Sequence, residues 1–230
     1  MALLLVRTSR ATMLCSLVNS RCQGRSKRFH DRHFLKIVAV RCEADVPAGR
    51  YLSNNNANIA RLDLIGDMFP DASIPVPIRN PFAHAASLHR QHSRFLELHA
   101  NDPFAMRYMA DIGHFEFGAL HRPIHFDGFE ELSAGLEPTD LDYWLAYWIA
   151  AFEHIAAHRS HVHLVSYDDL CSRDNGTAAL LCEWLGIEAW RAPEIGAYFR
   201  PQSSPTEALD THRSAYRGRA EDLYRNLLAK

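Results

Sequence analysis

Two short apolar runs, "SIPVPI" (Ser73–Ile78) and "HVHLVSY" (His161–Tyr167), stand on either side of long helical patterns. That alternation constrains the fold more than any other feature. "FAHAASLHRQHSRFLELH" places Ala85, Leu88, His92 and Phe95 down one side. "LDYWLAYWIAAFEHIAAH" (Leu141–His158) turns Trp144, Trp148, Phe152 and Ile155 toward a core. Strands alternating with helices predict a parallel sheet covered on both faces. The prolines of "SIPVPI" are awkward in a central strand, since each deletes a ladder donor.

The remaining segments fit that plan. "ALLLV" (Ala2–Val6) predicts a buried strand, "MLCSLV" a helix, Asn19–His33 a polar loop, and His33–Ala44 a further helix broken at Pro47–Gly49. "NNNANIARLDLIGDMF" sets Ile59, Leu62, Ile65 and Phe69 on one helical face and stops at Pro70-Asp71. Ala100 to Asp140 reads as helix pieces and loops, rich in aromatics. Thr177–Leu185 predicts a helix ending at Gly186, Pro193–Pro205 a loop, and "SAYRGRAEDLYRNLLAK" a closing helix with Tyr216, Ala220, Leu223 and Leu227 in register. A chain of 230 residues suits a single α/β domain, 1–230, with a divergent start over 1–30 and a C-terminal loop and helix over 193–230.

Composition excludes several classes of partner. A net charge of −2 argues against binding nucleic acid or an anionic membrane, so any anion site must be local. The five cysteines lack a C-x-x-C pair, which reads as reduced thiols in a cytoplasmic protein. The opening apolar run is too short to span a membrane, and no membrane insertion is expected. The fourteen histidines show no H-E-x-x-H or other ligand signature, so core, capping or surface roles are expected, and no metal. Nothing in the sequence fixes an oligomeric state.

Ligands of open parallel sheets bind at the carboxyl ends of strands, and "PVPIRNPFAHAAS" places Arg79 at such an end. A guanidinium fork suits phosphate or carboxylate, and the following helix adds amides and a partial positive charge. A helix starting at Pro81 puts Ser87 roughly 9 Å up its axis; a start nearer Ala83 brings Arg79 and Ser87 closer to one oxyanion. The alternative is a surface ion pair for Arg79 and a small helical residue in Ser87.

"MFPDASIPVPIRNP", with Ser87 eight residues after Arg79, resembles the 3′-phosphate-binding segment of sulfotransferases that use 3′-phosphoadenosine-5′-phosphosulfate (PAPS). "YWLAYWIAAFEHI", "VHLVSYDDL", "LLCEWLGI" and "SNNNANIARL" resemble other stretches of a bacterial branch of that family, in the same order, over Leu52 to Ile187. The resemblance implies a three-layer α/β/α, P-loop-like fold with a parallel sheet flanked by helices. It implies PAPS as co-substrate, without a metal, and sulfuryl transfer to a hydroxyl or amine of a small-molecule or carbohydrate acceptor. Arg79 and Ser87 would hold the 3′-phosphate, and Tyr167-Asp168-Asp169 would be largely structural. Arg213, Arg217 and Arg219 near the tail would either supply further cofactor contacts, as a basic C-terminal loop does in some members of that family, or decorate a solvated helix.

The chain departs from the family at two places. The phosphosulfate loop would fall at Arg7 to Thr12, with Ser9, Arg10 and Thr12 binding the cofactor, and Arg7 as the other candidate cation, but the family's glycine is absent. Without it the backbone reaches a positive φ only at a cost. Asn54 stands where related sequences have lysine, which removes a cation from the reacting group. No catalytic base can be assigned; His30 and His33 are candidates by proximity alone. A sulfotransferase, or a relative of that fold that binds the nucleotide without transferring, are the two readings. A P-loop kinase is disfavoured because no G-x-x-x-x-G-K-[ST] occurs.

Overall fold

The computed structural model describes residues 4–6, 51–172, 175–200 and 214–229. The segments expected at "MLCSLV", Asn19–His33, His33–Ala44 and Pro47–Gly49 lie outside the described residues. In chain order the elements are β1 (Leu4–Val6), β2 (Tyr51–Ser53), α1 (Leu62–Met68), β3 (Ala72–Ser73), β4 (Pro75–Ile78), α2 (Pro81–Asn101), α3 (Pro103–Asp111), α4 (Phe129–Leu132), α5 (Leu141–Ala157), β5 (His163–Ser166), α6 (Tyr167–Leu170), α7 (Gly176–Leu185), α8 (Ala192–Gly196) and α9 (Ser214–Leu228). Two compact units result. One takes the described residues through Ile78 and from His158 to Arg200; the other takes Arg79–Ala157 and the C-terminal helix.

The first unit is α/β. β4 and β5 pair in parallel, with Val76 opposite Leu164 and Ile78 opposite Ser166. The crossover that a parallel pair requires is the stretch Arg79–Ala157. His163 N–H donates to the Ile74 carbonyl at 2.9 Å. That bond puts Ile74, and with it Val76 and Ile78, on the ladder side, and turns Pro75 and Pro77 to the opposite edge. The two prolines therefore cost β4 no bond to β5, but leave its other edge without donors at those positions. This resolves their awkwardness in the sequence.

β1 departs from the all-parallel expectation. It pairs antiparallel with both neighbours, Leu5 against Leu52 of β2 and Leu5 against Ser73 of β3. The extended run from Ala72 to Ile78 thus carries an antiparallel partner on its first half and a parallel one on its second. Alternation of strand and helix reports crossover length, not strand direction, so a strand far away in sequence is not constrained by it.

Leu62, Ile65 and Phe69 are buried as their spacing predicts, although the segment opens as a 3₁₀ turn, Asn56–Arg61, capped by Asn55. α7 buries Ala178, Leu181, Cys182 and Leu185 against Val165 and Leu170, and ends at Gly186 with φ +56°. The stretch from Pro193, expected as loop, opens inside the one-turn helix α8 instead. Pro193 sits in its first turn, where a missing N–H costs nothing. Residues beyond Arg200 in that expected loop lie outside the described residues.

The second unit is helical. Asn80 and Asp102 cap α2 and α3, each immediately before a proline, so the sequence punctuates both helices. α5 is the spine: Trp144, Trp148, Leu145, Ile149 and Ile155 are all at most 1% exposed. Each such side chain removes enough apolar surface to contribute about 1.5–3 kcal/mol. α9 buries Ala220 and Leu227, donates Tyr216 Oη–H to the Leu132 carbonyl at 2.7 Å, and pairs Arg219 with Glu153 on α5.

Candidate functional site

The strand-end arginine is where the sequence puts it. β4 stops at Ile78, Arg79 follows, Asn80 caps, and α2 begins at Pro81. The helix therefore takes the longer of the two geometries, with Ser87 about 9 Å up the axis on its second turn. Arg79 and Ser87 are both half-buried and lie in the same unit, on one helix and its lead-in.

The capping geometry corrects the expected contribution of the helix terminus. Pro81 has no N–H. The amides of Phe82 and Ala83 both donate to Asn80 Oδ1, at 3.1 Å each, and His84 N–H donates to the Asn80 carbonyl at 2.9 Å. The first-turn donors are thus taken by the chain itself, and only the helix dipole is left to favour an anion there. A phosphate at this site must draw its hydrogen bonds from side chains. The Arg79 fork and the Ser87 hydroxyl are the donor types that fit one.

His84 lies near the start of α2. Burial, with the Arg79 guanidinium adding to it, pushes its imidazole down to about 3. Its Nδ1 is buried without a hydrogen-bond partner, and its ring meets Phe152 edge-on at 6.3 Å. The ring is thus held neutral chiefly by its burial at the foot of α2.

The other sequence candidates divide. Ser9, Arg10 and Thr12, with Arg7, His30 and His33, lie outside the described residues, as does Arg213. Asn54 is exposed at the end of β2, in the unit that does not hold Arg79 and Ser87. Arg217 pairs with Glu221 at 3.3 Å, and Arg219 makes a two-pronged pair with Glu153 at 2.7 and 2.8 Å. Both arginines therefore serve the helix surface. Tyr167 starts α6, which Ser166 caps by accepting from Asp169 N–H at 3.2 Å, and Tyr167 Oη–H donates to the Arg200 carbonyl. These bonds hold the turn after β5.

The histidines form no metal cluster among the described residues. His89 bonds the Thr139 carbonyl at 2.8 Å, so it and His92 are used separately despite their spacing. His92 Nδ1 accepts from Gly118 N–H at 3.1 Å and His99 Nδ1 accepts from Ala119 N–H at 3.2 Å. Neutral imidazoles thus act as internal acceptors that pin the Gly118–Leu120 turn to α2. His121 completes the group, bonding the Glu116 carbonyl at 2.7 Å and the Tyr143 hydroxyl at 2.9 Å. Burial lowers the basicity of both His92 and His121. His158 lies 3.1 Å from the Asp63 carboxylate, and His163 stacks on Trp184.

One feature escapes sequence reading. An open groove of about 510 Å³ is lined by Asn80, Pro81 and Phe82 at the foot of α2 and by Glu221, Tyr224, Arg225 and Leu228 of α9. It joins positions far apart in sequence, and no local pattern announces it. Arg225, which pairs with Asp222 at 2.9 Å, is the α9 arginine that lines this groove with Asn80. The chain matches no protein-family model, no curated protein and no solved structure.

Proposed function

We propose that the chain is a sulfotransferase-like protein that takes PAPS through Arg79 and Ser87. The reading includes the three-layer P-loop-like arrangement, a cytoplasmic setting, and a small-molecule or carbohydrate acceptor carrying a hydroxyl or amine. One observation carries it: the junction of β4, Arg79, capping Asn80 and a 21-residue helix with Ser87 on its second turn. The parallel neighbour β5, running into the Tyr167-Asp168-Asp169-Leu170 turn, supports it.

The chemistry assigned to the chain's own residues is recognition. Arg79 offers a charge-assisted, two-pronged pair to a phosphate, and Ser87 adds one hydroxyl donor. Their partial burial strengthens both bonds relative to water. Asn80 keeps the cap closed, so the arginine starts from a fixed backbone position. When bound, PAPS supplies an activated sulfuryl group. Arg7, Arg10, Ser9 and Thr12 are the residues proposed to face it.

A second reading, a relative that binds the nucleotide without transferring, draws on one observation. β1 is antiparallel to both its neighbours, where a phosphosulfate loop of the family would leave a parallel strand. The two readings separate in a transfer assay with radiolabelled PAPS and a panel of phenols, alcohols, amines and sugars. Label transfer that Arg10→Ala and Arg79→Ala each reduce by more than tenfold is the outcome expected of the enzyme. Binding of adenosine 3′,5′-bisphosphate with no transfer to any acceptor would select the second reading, and no binding would sink both.

A further inference from the structure

We propose that α3 is a self-association surface, through which two copies of this chain pair antiparallel across a two-fold axis at Tyr108. α3 buries none of its residues, although it is capped at Asp102 and regular over nine residues. Its outer side carries a stripe at i, i+4 and i+8: Phe104 is 76% exposed, Tyr108 51% and Ile112, just past the last turn, 55%. The Phe104 and Tyr108 rings stack on each other at 6.3 Å, which fixes the stripe's shape. Apolar surface gathered on one exposed helix face marks contact with another protein or with a membrane.

The charges beside the stripe select a second copy as the occupant. Arg107 and Asp111 lie on the same flank, four residues apart, and both are exposed. Neither has an ion-pair partner among the described residues. A two-fold across Tyr108 brings each Phe104 against the Ile112 of the other copy, because both lie four residues, about 6 Å, from the centre. The same operation returns each flank to itself with its direction reversed. Arg107, about 1.5 Å before the centre, then comes within about 3 Å along the axis of the other copy's Asp111, about 4.5 Å beyond it. Two reciprocal Arg107–Asp111 pairs close the contact. This self-complementarity of both apolar and charged positions is what an isologous interface requires. The face is one short helix, well below the roughly 800 Å² per partner of a standard interface, so the dimer belongs to the weak class.

Sedimentation velocity of the full chain over a concentration series, about 1 to 300 μM, is the test, spanning the range of a weak association. The wild-type chain is expected to shift from monomer toward dimer, and Tyr108→Asp to stay monomeric with an unchanged melting curve. Asp111→Arg, which sets like charges opposite each other, is expected to weaken dimerisation at least about tenfold. The double variant Arg107→Asp/Asp111→Arg is expected to restore it. A wild-type chain that stays monomeric throughout overturns the proposal, as does a dimer indifferent to Tyr108→Asp or a double variant no better than Asp111→Arg. Binding of the monomeric chain to phosphatidylcholine vesicles through this stripe would overturn it in favour of a membrane partner.

Discussion

Replacing Gly118 by alanine attacks a point where α2 and the turn after α3 are locked together. Gly118 has φ +74°, a left-handed conformation that costs an L-residue about 1–2 kcal/mol. A Cβ there would stand 2.7 Å from His99 Nδ1 and 2.8 Å from Phe95 Cβ. Neither neighbour can yield cheaply. His99 is 5% exposed and its Nδ1 is the acceptor for Ala119 N–H; Phe95 Cβ is fixed to the helix backbone. Moving His99 or the turn also strains the bond from Gly118 N–H to His92, and each such bond is worth about 1 kcal/mol. Together with about 1–3 kcal/mol of overpacking, the loss is about 4 kcal/mol. Gly135→Ala is the internal control: φ is +75°, but nothing lies within 4 Å of its Cβ, so only backbone strain applies. Urea unfolding followed by tryptophan fluorescence reads both, since His92 packs on Trp144 at 5.3 Å. Gly118→Ala should lose about 2–3 kcal/mol more than Gly135→Ala at equal slope. Equal losses would refute the lock.

Acid should loosen the second unit early. The imidazoles of His92 and His84 sit near 4 and 3 in the fold against an ordinary value of 6.5, so the unfolded chain takes up these protons first. Stability is then full above about pH 7 and falls as pH drops through 6.5 toward 4. The His92 share is about 2 kcal/mol once the 1.36 kcal/mol per pH unit is discounted for incomplete desolvation. His92→Asn, which keeps an acceptor near Nδ1 but cannot titrate, should flatten that part of a Tm-against-pH profile; an unchanged slope would show that His92 is not the cause. Asn80→Ala removes the acceptor of two helix amides and should cost about 1 kcal/mol in a thermal melt, whereas a neutral result would mean that the cap is immaterial. Arg219→Ala breaks a half-exposed ion pair and should change stability by less than about 1 kcal/mol. A larger loss would show that α9 depends on its pairing with Glu153.

Much of the fold was readable because its signals are local. The buried stripe of α5 and the stop at Gly186 each follow from a few neighbouring residues. The Arg79–Ser87 spacing was readable for the same reason, since both lie on one strand–helix junction. Strand direction was not, because β1 reaches β3 across a long stretch of chain and the alternation of strand and helix does not fix it. The helix-end amides, expected to favour an anion, are instead consumed by the Asn80 side chain. Core or capping roles were expected of the histidines, but which amides His92 and His99 accept from depends on a turn distant in sequence, which no periodicity encodes. The groove shared by Arg225 and Asn80 exists only after α9 has docked, so no local pattern announces it.

The clamp is tested most directly by calorimetric titration with adenosine 3′,5′-bisphosphate beside adenosine 5′-phosphate, which lacks only the 3′-phosphate. Hydrogen bonds to a charged group are worth about 1.5–3 kcal/mol, so the bisphosphate should bind about 10- to 100-fold more tightly. Arg79→Ala should erase that difference, and Ser87→Ala should reduce it, without weakening adenosine 5′-phosphate. Equal affinity for the two nucleotides, or a difference that survives Arg79→Ala, would contradict the assignment of Arg79 and Ser87 to a 3′-phosphate.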